Sequence, residues 1–83
     1  KLRMIEQAET ALRDLGFAVV RVRHEHDGAR VEIGRDDLSR ALEPATAARI
    51  AMAVRAAGYD AVTIDPKGYR TGSLNEGLLL QPA

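Results

Sequence analysis

Two arginines placed two positions apart, Arg21 and Arg23, are the residues of this sequence best suited to bind an anion. They lie in the segment VRVRHEHDGARVEI, in which charged and apolar residues alternate. Because the side chains of a strand alternate between its two faces, both guanidinium groups would point the same way. A guanidinium presents a planar fork of donors that matches phosphate or carboxylate, whereas a lysine is only a point charge. The spacing therefore predicts that both side chains converge on one negatively charged ligand.

The same pattern has a simpler interpretation, which stays open. The exposed face of an antiparallel sheet is ordinarily polar, and a solvated face needs no ligand to explain its charges. One feature favours the anion site: the basic residues of this face are all arginines, with no lysine among them. The charged residues expected on this face are Arg21, Arg23, Glu25, Arg30 and Glu32.

Three further groups of residues are candidates for binding. His24 and His26 could chelate a divalent ion weakly, but no third ligand lies within reach in the sequence, and surface histidines are the favoured interpretation. Carboxylates from different copies of the chain could gather a hard cation in an oligomer, and Glu9 and Glu32 are the acidic pair considered for this. The turn GYRTG and the residues after it offer anchors for packing or for an anion, namely Tyr69, Arg70, Ser73 and Asn75.

A β-hairpin is predicted to position the arginines. Asp27-Gly28 between two alternating runs is a strong hairpin signal, because both residues of a two-residue turn must reach positive φ. A turn at this dipeptide places an apolar face with Val20, Val22 and Ile33 on one side of the hairpin. It also sets opposite charges directly across from each other twice, in the pairs Arg23–Glu32 and Glu25–Arg30.

The remaining elements predict a two-layer α+β domain with a three-stranded sheet and helices on one face, in the order α-β-β-α-α-β. A helix over 1–15 is closed by Gly16, Asp36 caps a short second helix, and Pro44 opens a third that ends near Gly58. A third strand over 59–64, with Tyr59 facing away from the core, precedes an extended tail over 68–83. The apolar stripes expected to face the sheet are Leu2, Ile5, Ala8, Leu12 and Leu15, then Leu38, Ala41 and Leu42, then Ala47, Ile50, Ala51 and Val54.

Length and composition restrict the class of protein. A chain of 83 residues makes one small domain, here 1–83. Lys+Arg and Asp+Glu both number 12, and this balance argues against nucleic acid or an anionic membrane as a partner. The absence of cysteine excludes disulfides, thiolate metal sites and cysteine nucleophiles within the chain. The absence of cysteine also fits the expected cytoplasmic location. Because the chain starts inside a helical pattern without Met, we expect it to be a piece of a longer protein.

Three segments together resemble one family: KLRMIEQAETALRDLGF, VRVRHEHDGARVEI and VTIDPKGYRTGSLNE. They are similar to the C-terminal portion of the LarE-type ATP-dependent sacrificial sulfur transferases, which belong to the PP-loop ATP pyrophosphatase superfamily. The resemblance covers nearly the whole chain. Its two motifs, VRVRH-x(3)-G-A-R-[VI]-E and G-[YF]-R-x-G-S-L-N, are specific in combination.

The resemblance implies a parent enzyme with an N-terminal PP-loop domain that uses ATP and Mg²⁺. That enzyme would adenylate the carboxylate of a pyridinium mononucleotide and then transfer sulfur to it, in the biosynthesis of a nickel-pincer cofactor. The family's SGGxDS loop and its sulfur-donor cysteine are absent from this sequence, so the chain alone is expected to be inactive. The family also assembles as trimers and hexamers, which implies a homo-oligomer.

The resemblance also assigns roles by position. Arg21 and Arg23 match paired strand arginines that resemble phosphate or substrate-anion ligands. Glu9 and Glu32 match acidic positions associated with a metal at a subunit junction, but neither Asp36 nor Asp37 aligns cleanly as a third acidic residue. The GYRxGSxN segment is matched by Arg70, Ser73 and Asn75.

Two other functions remain alternatives. The domain would be a non-catalytic structural or interaction module of a PP-loop enzyme if its polar face and tail only contact other subunits. It would be a small metal-binding regulatory domain if His24 and His26 bound Zn²⁺ or Ni²⁺ tightly.

Overall fold

Three strands form an open mixed sheet, and three helices pack on one of its faces. The computed structural model describes residues 2–70, so Ser73, Asn75 and most of the predicted extended tail lie outside the described residues. The α+β class and the predicted element order are confirmed. The elements are α1 Leu2–Asp14, β1 Val20–Glu25, β2 Gly28–Ile33, α2 Arg35–Ala41, α3 Pro44–Ala56 and β3 Ala61–Ile64.

The sheet order is β1-β2-β3, which puts the second strand of the hairpin in the centre. β1 and β2 are antiparallel, whereas β2 and β3 are parallel. Parallel neighbours need a crossover connection, and α2 and α3 supply it on the covered face. α1 packs on β1 and on α3, and α3 packs on β3. Each strand is thus backed by a helix on the same side of the sheet.

The hairpin is present, but its predicted register is wrong by two residues. Glu25 pairs with Gly28, so the two-residue turn is His26-Asp27. Gly28 is instead the first residue of β2, where it faces Ala61 of β3. A Cβ on Gly28 would overlap the carbonyl oxygen of Ala61, and this close approach is why glycine is found here. Because the shift is even, every side chain stays on the face that the alternation predicts.

The core lies between the sheet and the helices, and three predicted core positions are wrong. Leu2 and Leu15 flank the ends of α1 and are 70% and 39% exposed, and Leu42 follows the last residue of α2 and is 43% exposed. The buried apolar residues are Ala8, Leu12, Phe17, Val20, Val22, Ala29, Val31, Ile33, Ala41, Ile50, Val54 and Tyr59.

Tyr59 corrects a second prediction, because its side chain enters the core instead of facing away from it. β3 begins only at Ala61, so the alternation of a strand does not apply to Tyr59. Asp36 was also expected to cap α2, but that helix begins at Arg35 with Gly34 at the N-cap and no side-chain cap. Asp36 lies in the first turn, where a carboxylate interacts favourably with the helix dipole.

Other predicted helix ends are confirmed. Gly16 has φ +106°, and the N–H of Phe17 donates to the carbonyl of Leu12 at 3.3 Å, which closes α1 as a Schellman-type end. Pro44 is the first residue of α3, where a missing N–H costs nothing. The end of α1 leads to β1, whereas Pro44 starts α3 directly after α2.

Candidate anion-binding face of the sheet

The side of the sheet that the helices leave uncovered is called here the open face. The observed pairs Arg21↔Glu32 and Arg23↔Arg30 place charged residues of β1 and β2 on this same side. The predicted division into a charged face and an apolar face is therefore confirmed, although the register is not. The open face comprises Arg21, Arg23, Glu25, Arg30, Glu32 and Thr63.

Arg23 is held in a fixed orientation by Glu32. The Nε of Arg23 donates to Oε2 of Glu32 at 2.8 Å, and Glu32 is only 9% exposed. The sequence predicted that Arg23 and Glu32 are directly opposite each other on neighbouring strands. In the structure Glu32 is opposite Arg21, and its side chain contacts Arg23 diagonally. Only Nε of Arg23 takes part in this hydrogen bond. The N–H groups of its two terminal nitrogens have no acceptor within residues 2–70 and are available to a ligand.

Arg21 is the exposed member of the pair. Its guanidinium forms no hydrogen bond and no ion pair with any residue between 2 and 70. It lines a shallow cleft of about 450 Å³ together with Glu9, Arg13 and Tyr69. The structure thus presents one unpartnered guanidinium beside one that a buried carboxylate orients, two positions apart on a single strand.

Arg30 stands directly opposite Arg23, and two like charges in this position are unfavourable unless they are compensated. Arg30 forms an ion pair with Glu25, as the sequence predicted, and its Nη1 lies 3.9 Å from Oδ2 of Asp65. Asp65 follows β3 directly, and its N–H donates to the carbonyl of Val31 at 2.9 Å. Sequence reasoning did not place Asp65 on this face, because only the parallel pairing of β2 with β3 brings it there.

Glu9 has a role that the sequence did not reveal. Its Oε2 accepts a hydrogen bond from the backbone N–H of Val22 at 2.9 Å, and its Oε1 lies 3.7 Å from Nη2 of Arg13. Because β1 is an edge strand, that N–H faces away from β2 and would otherwise be open to pairing with another strand. Glu9 thus joins α1 to the sheet and protects its edge.

The two carboxylates considered for a metal have protein partners in this structure. Glu9 binds a backbone N–H and Glu32 binds Arg23. Within the described part of the chain, no three His, Cys, Asp or Glu side chains come together as a metal site. A metal held by Glu9 and Glu32 at a subunit junction stays a prediction.

The two histidines are placed apart by the fold. His24 lies at the border of the apolar face, with its Nδ1 3.0 Å from the hydroxyl of Tyr59. His26 is in the turn, 97% exposed, with Asp27 as its neighbour at 3.6 Å. His24 therefore belongs to the edge of the core and His26 to the solvent.

A pH dependence follows from the burial of Tyr59. Burial raises the pKa of the Tyr59 hydroxyl above the 10.0 of an exposed tyrosine, because it disfavours the phenolate. The unfolded chain therefore loses this proton at a lower pH than the folded chain does. The contribution of Tyr59 to the free energy of unfolding is thus fully present below pH 10 and is lost as the pH rises above it. Tyr59→Phe is expected to reduce this alkaline loss, measured by urea unfolding at pH 8 and pH 11. Tyr69→Phe is the control, and an equal reduction in both variants would contradict the assignment.

Arg70 is exposed and lines a second cleft, of about 400 Å³, beside the N-terminal end of α2. Tyr69 lines this cleft and also the cleft of Arg21, so the two arginines lie at the same end of the domain. The N–H of Tyr69 donates to the carbonyl of Ile33 at 2.9 Å, which fixes this segment beside the end of β2. Ser73 and Asn75, predicted to act with Arg70, lie outside the described residues.

The fold and the open face define a small α+β domain that presents arginines on the exposed side of a three-stranded sheet. No family model matches the chain. The chain is 33% identical over 78 residues to the uncharacterized protein slr1717 of Synechocystis sp. (strain ATCC 27184 / PCC 6803 / Kazusa). The match spans 94% of this chain but only 29% of that relative. Among residues 2–70, no helix has the length and apolar character needed to cross a membrane.

Proposed function

We propose that this is the C-terminal substrate-anion-binding and oligomerisation domain of an ATP-dependent sulfur transferase of the LarE type. The observation that supports the proposal most directly is the pair of arginines on the open face. Arg21 has no partner within the described residues, and Glu32 holds Arg23 with its terminal nitrogens available. Such a pair suits the phosphate of a mononucleotide, because two guanidinium groups supply several charge-assisted donors to one anion.

The chemistry of the proposed enzyme is divided between two domains. ATP and Mg²⁺ belong to its own N-terminal PP-loop domain, which adenylates the substrate carboxylate. The present domain binds the other end of the substrate, so that the activated carboxyl is held where sulfur is delivered. Arg70 adds a further cation at the end of the domain where Arg21 lies. Ser73 and Asn75 are proposed to bind the same substrate on the basis of the sequence resemblance alone.

The proposal is tested by titrating the 83-residue chain with inorganic phosphate in a calorimeter. Arg21→Ala combined with Arg23→Ala is expected to weaken phosphate binding at least about tenfold, which corresponds to about 1.4 kcal/mol. The matched control combines Arg3→Ala with Arg49→Ala, two exposed arginines of α1 and α3 that form no hydrogen bond and no ion pair within residues 2–70. It removes the same charge from the helices instead of from the open face. Equal weakening in both double variants would show a net-charge effect and contradict the site.

The same two substitutions extend the test to the full-length protein. We expect sulfur transfer to fall at least about tenfold while ATP-dependent adenylation stays measurable, because the ATP site belongs to the other domain. Sulfur transfer at the unmodified rate would show that the two arginines do not bind the substrate.

A second candidate function is a non-catalytic interaction module. The observation that favours it is the internal pairing of the open face, in which Glu32 and Glu25 each neutralise one arginine. Light scattering and the phosphate titration separate the two functions. Phosphate binding that depends on Arg21 favours the anion site, whereas an oligomer that binds no phosphate favours the interaction module.

A further inference from the structure

Arg30 has an unsatisfied donor. Its terminal nitrogens face Glu25 and Asp65, but its Nε is buried and has no acceptor among residues 2–70. A buried donor without an acceptor is unfavourable, because it has lost water and gained nothing in return. The present orientation of the Arg30 side chain is therefore one that a suitable ligand can displace.

The position of Arg30 relative to Arg23 also favours a role in binding a ligand. The two residues are direct partners across β1 and β2, so their guanidinium groups start from neighbouring points on the open face. Arg23 donates its Nε to Glu32, so its terminal nitrogens are available. One terminal nitrogen of Arg30 forms an ion pair with Glu25, and the other lies 3.9 Å from Asp65, beyond hydrogen-bond distance. An anion that draws the Arg30 guanidinium away from the two carboxylates and toward Arg23 would expose its Nε and receive donors from both arginines. It would also relieve their mutual repulsion.

We infer that Arg30 is a third anion-binding arginine of the open face, and that Glu25 and Asp65 hold it aside until a phosphate group arrives. This inference rests on the proposed function and deepens it by adding to the phosphate site a third arginine and two carboxylates that regulate it. The two negative charges of a phosphate monoester compete with these two carboxylates for Arg30. Glu25 and Asp65 compete with the ligand for the same guanidinium. They therefore lower the affinity and select against singly charged anions.

The test uses Glu25→Gln, which neutralises the carboxylate that competes for Arg30, in the 83-residue chain. Phosphate is expected to bind at least about threefold more tightly to this variant. Asp27→Asn is the matched control, because it removes the same charge from the adjacent turn, where Asp27 contacts His26 and not Arg30. Adding Arg30→Ala to Glu25→Gln is expected to cancel the gain. An equal gain in the control, or a gain that survives the loss of Arg30, would overturn the inference.

A direct readout complements the affinities. The Nε–Hε signal of Arg30 in a nitrogen–proton NMR spectrum is expected to shift when phosphate is added, because its donor gains an acceptor. A signal that stays unchanged at saturating phosphate would overturn the inference even if the affinities agreed.

Failure of this inference can be told from failure of the proposed function. If the double variant of Arg21 and Arg23 loses phosphate binding but Glu25→Gln brings no gain, only the role of Arg30 is refuted. If that double variant binds phosphate as the unmodified chain does, the anion site itself is refuted, and the inference falls with it.

Discussion

Replacing Gly28 by alanine is expected to destabilise the domain by about 3 kcal/mol, near the upper end of what overpacking costs. The added Cβ would overlap the carbonyl oxygen of Ala61, which is backbone and has no rotamer to escape into. Either β3 moves away from β2, or the first pair of that parallel ladder is lost. For a domain of this size, the melting temperature is expected to fall by roughly 12–24 °C, measured by circular dichroism.

Gly16→Ala is the control for this prediction. A Cβ at Gly16 meets no atom within 4 Å, so only the backbone strain at φ +106° remains, worth about 1–2 kcal/mol. If Gly28→Ala costs no more than Gly16→Ala, the close approach of β3 does not restrict the residue at position 28.

The second large effect is expected for Phe17→Ala, with a loss of about 3–5 kcal/mol. Phe17 is 1% exposed and lies in the core directly after the turn that ends α1. The guanidinium of Arg40 covers its ring at 4.4 Å from the centroid, so α2 also depends on this side chain. Urea unfolding measures the loss, because the midpoint falls while the slope should stay the same.

Two controls separate the contributions at Phe17. Leu2→Ala removes an apolar side chain that is 70% exposed, and it is expected to change stability by less than about 0.5 kcal/mol. Arg40→Ala removes the cation above the ring, worth about 0.5–1 kcal/mol at an exposed site, together with the ion pair to Asp37 and the hydrogen bond to the carbonyl of Gly16. A loss in Phe17→Ala no larger than that in Arg40→Ala would contradict a central place for Phe17 in the core.

Some features of the proposed site could be predicted from the sequence, and others could not. That Arg21 and Arg23 share a face follows from the alternation of a strand, and the structure confirms it. The ion pair between Glu32 and Arg23 was expected from the sequence. The burial of Glu32 was not expected, because it depends on which strands lie on both sides of β2. The functional proposal depends on the burial of Glu32, because a buried carboxylate fixes the orientation of an arginine and an exposed one does not.

The register of the hairpin shows where local signals fail. A turn at Asp27-Gly28 and a turn at His26-Asp27 differ by two residues in pairing, and both keep the same side chains on the same face. The hydrophobic pattern therefore cannot choose between them. In the observed turn at His26-Asp27, Gly28 is part of β2 and contacts Ala61 of β3. Rules for turns consider only residues close together in the sequence, so they do not take this contact into account.

The sequence by itself determined the order of the helices and strands, the closing of α1 at Gly16 and the two faces of the hairpin, because these depend on local propensity and on periodicity. Only the tertiary structure decided the central position of β2, the parallel pairing that brings Asp65 to Arg30, and the hydrogen bond from Val22 to Glu9. These features join residues far apart in the chain. Their formation depends on which strand edges and carboxylates meet once the core is buried, and this is a property of the whole fold.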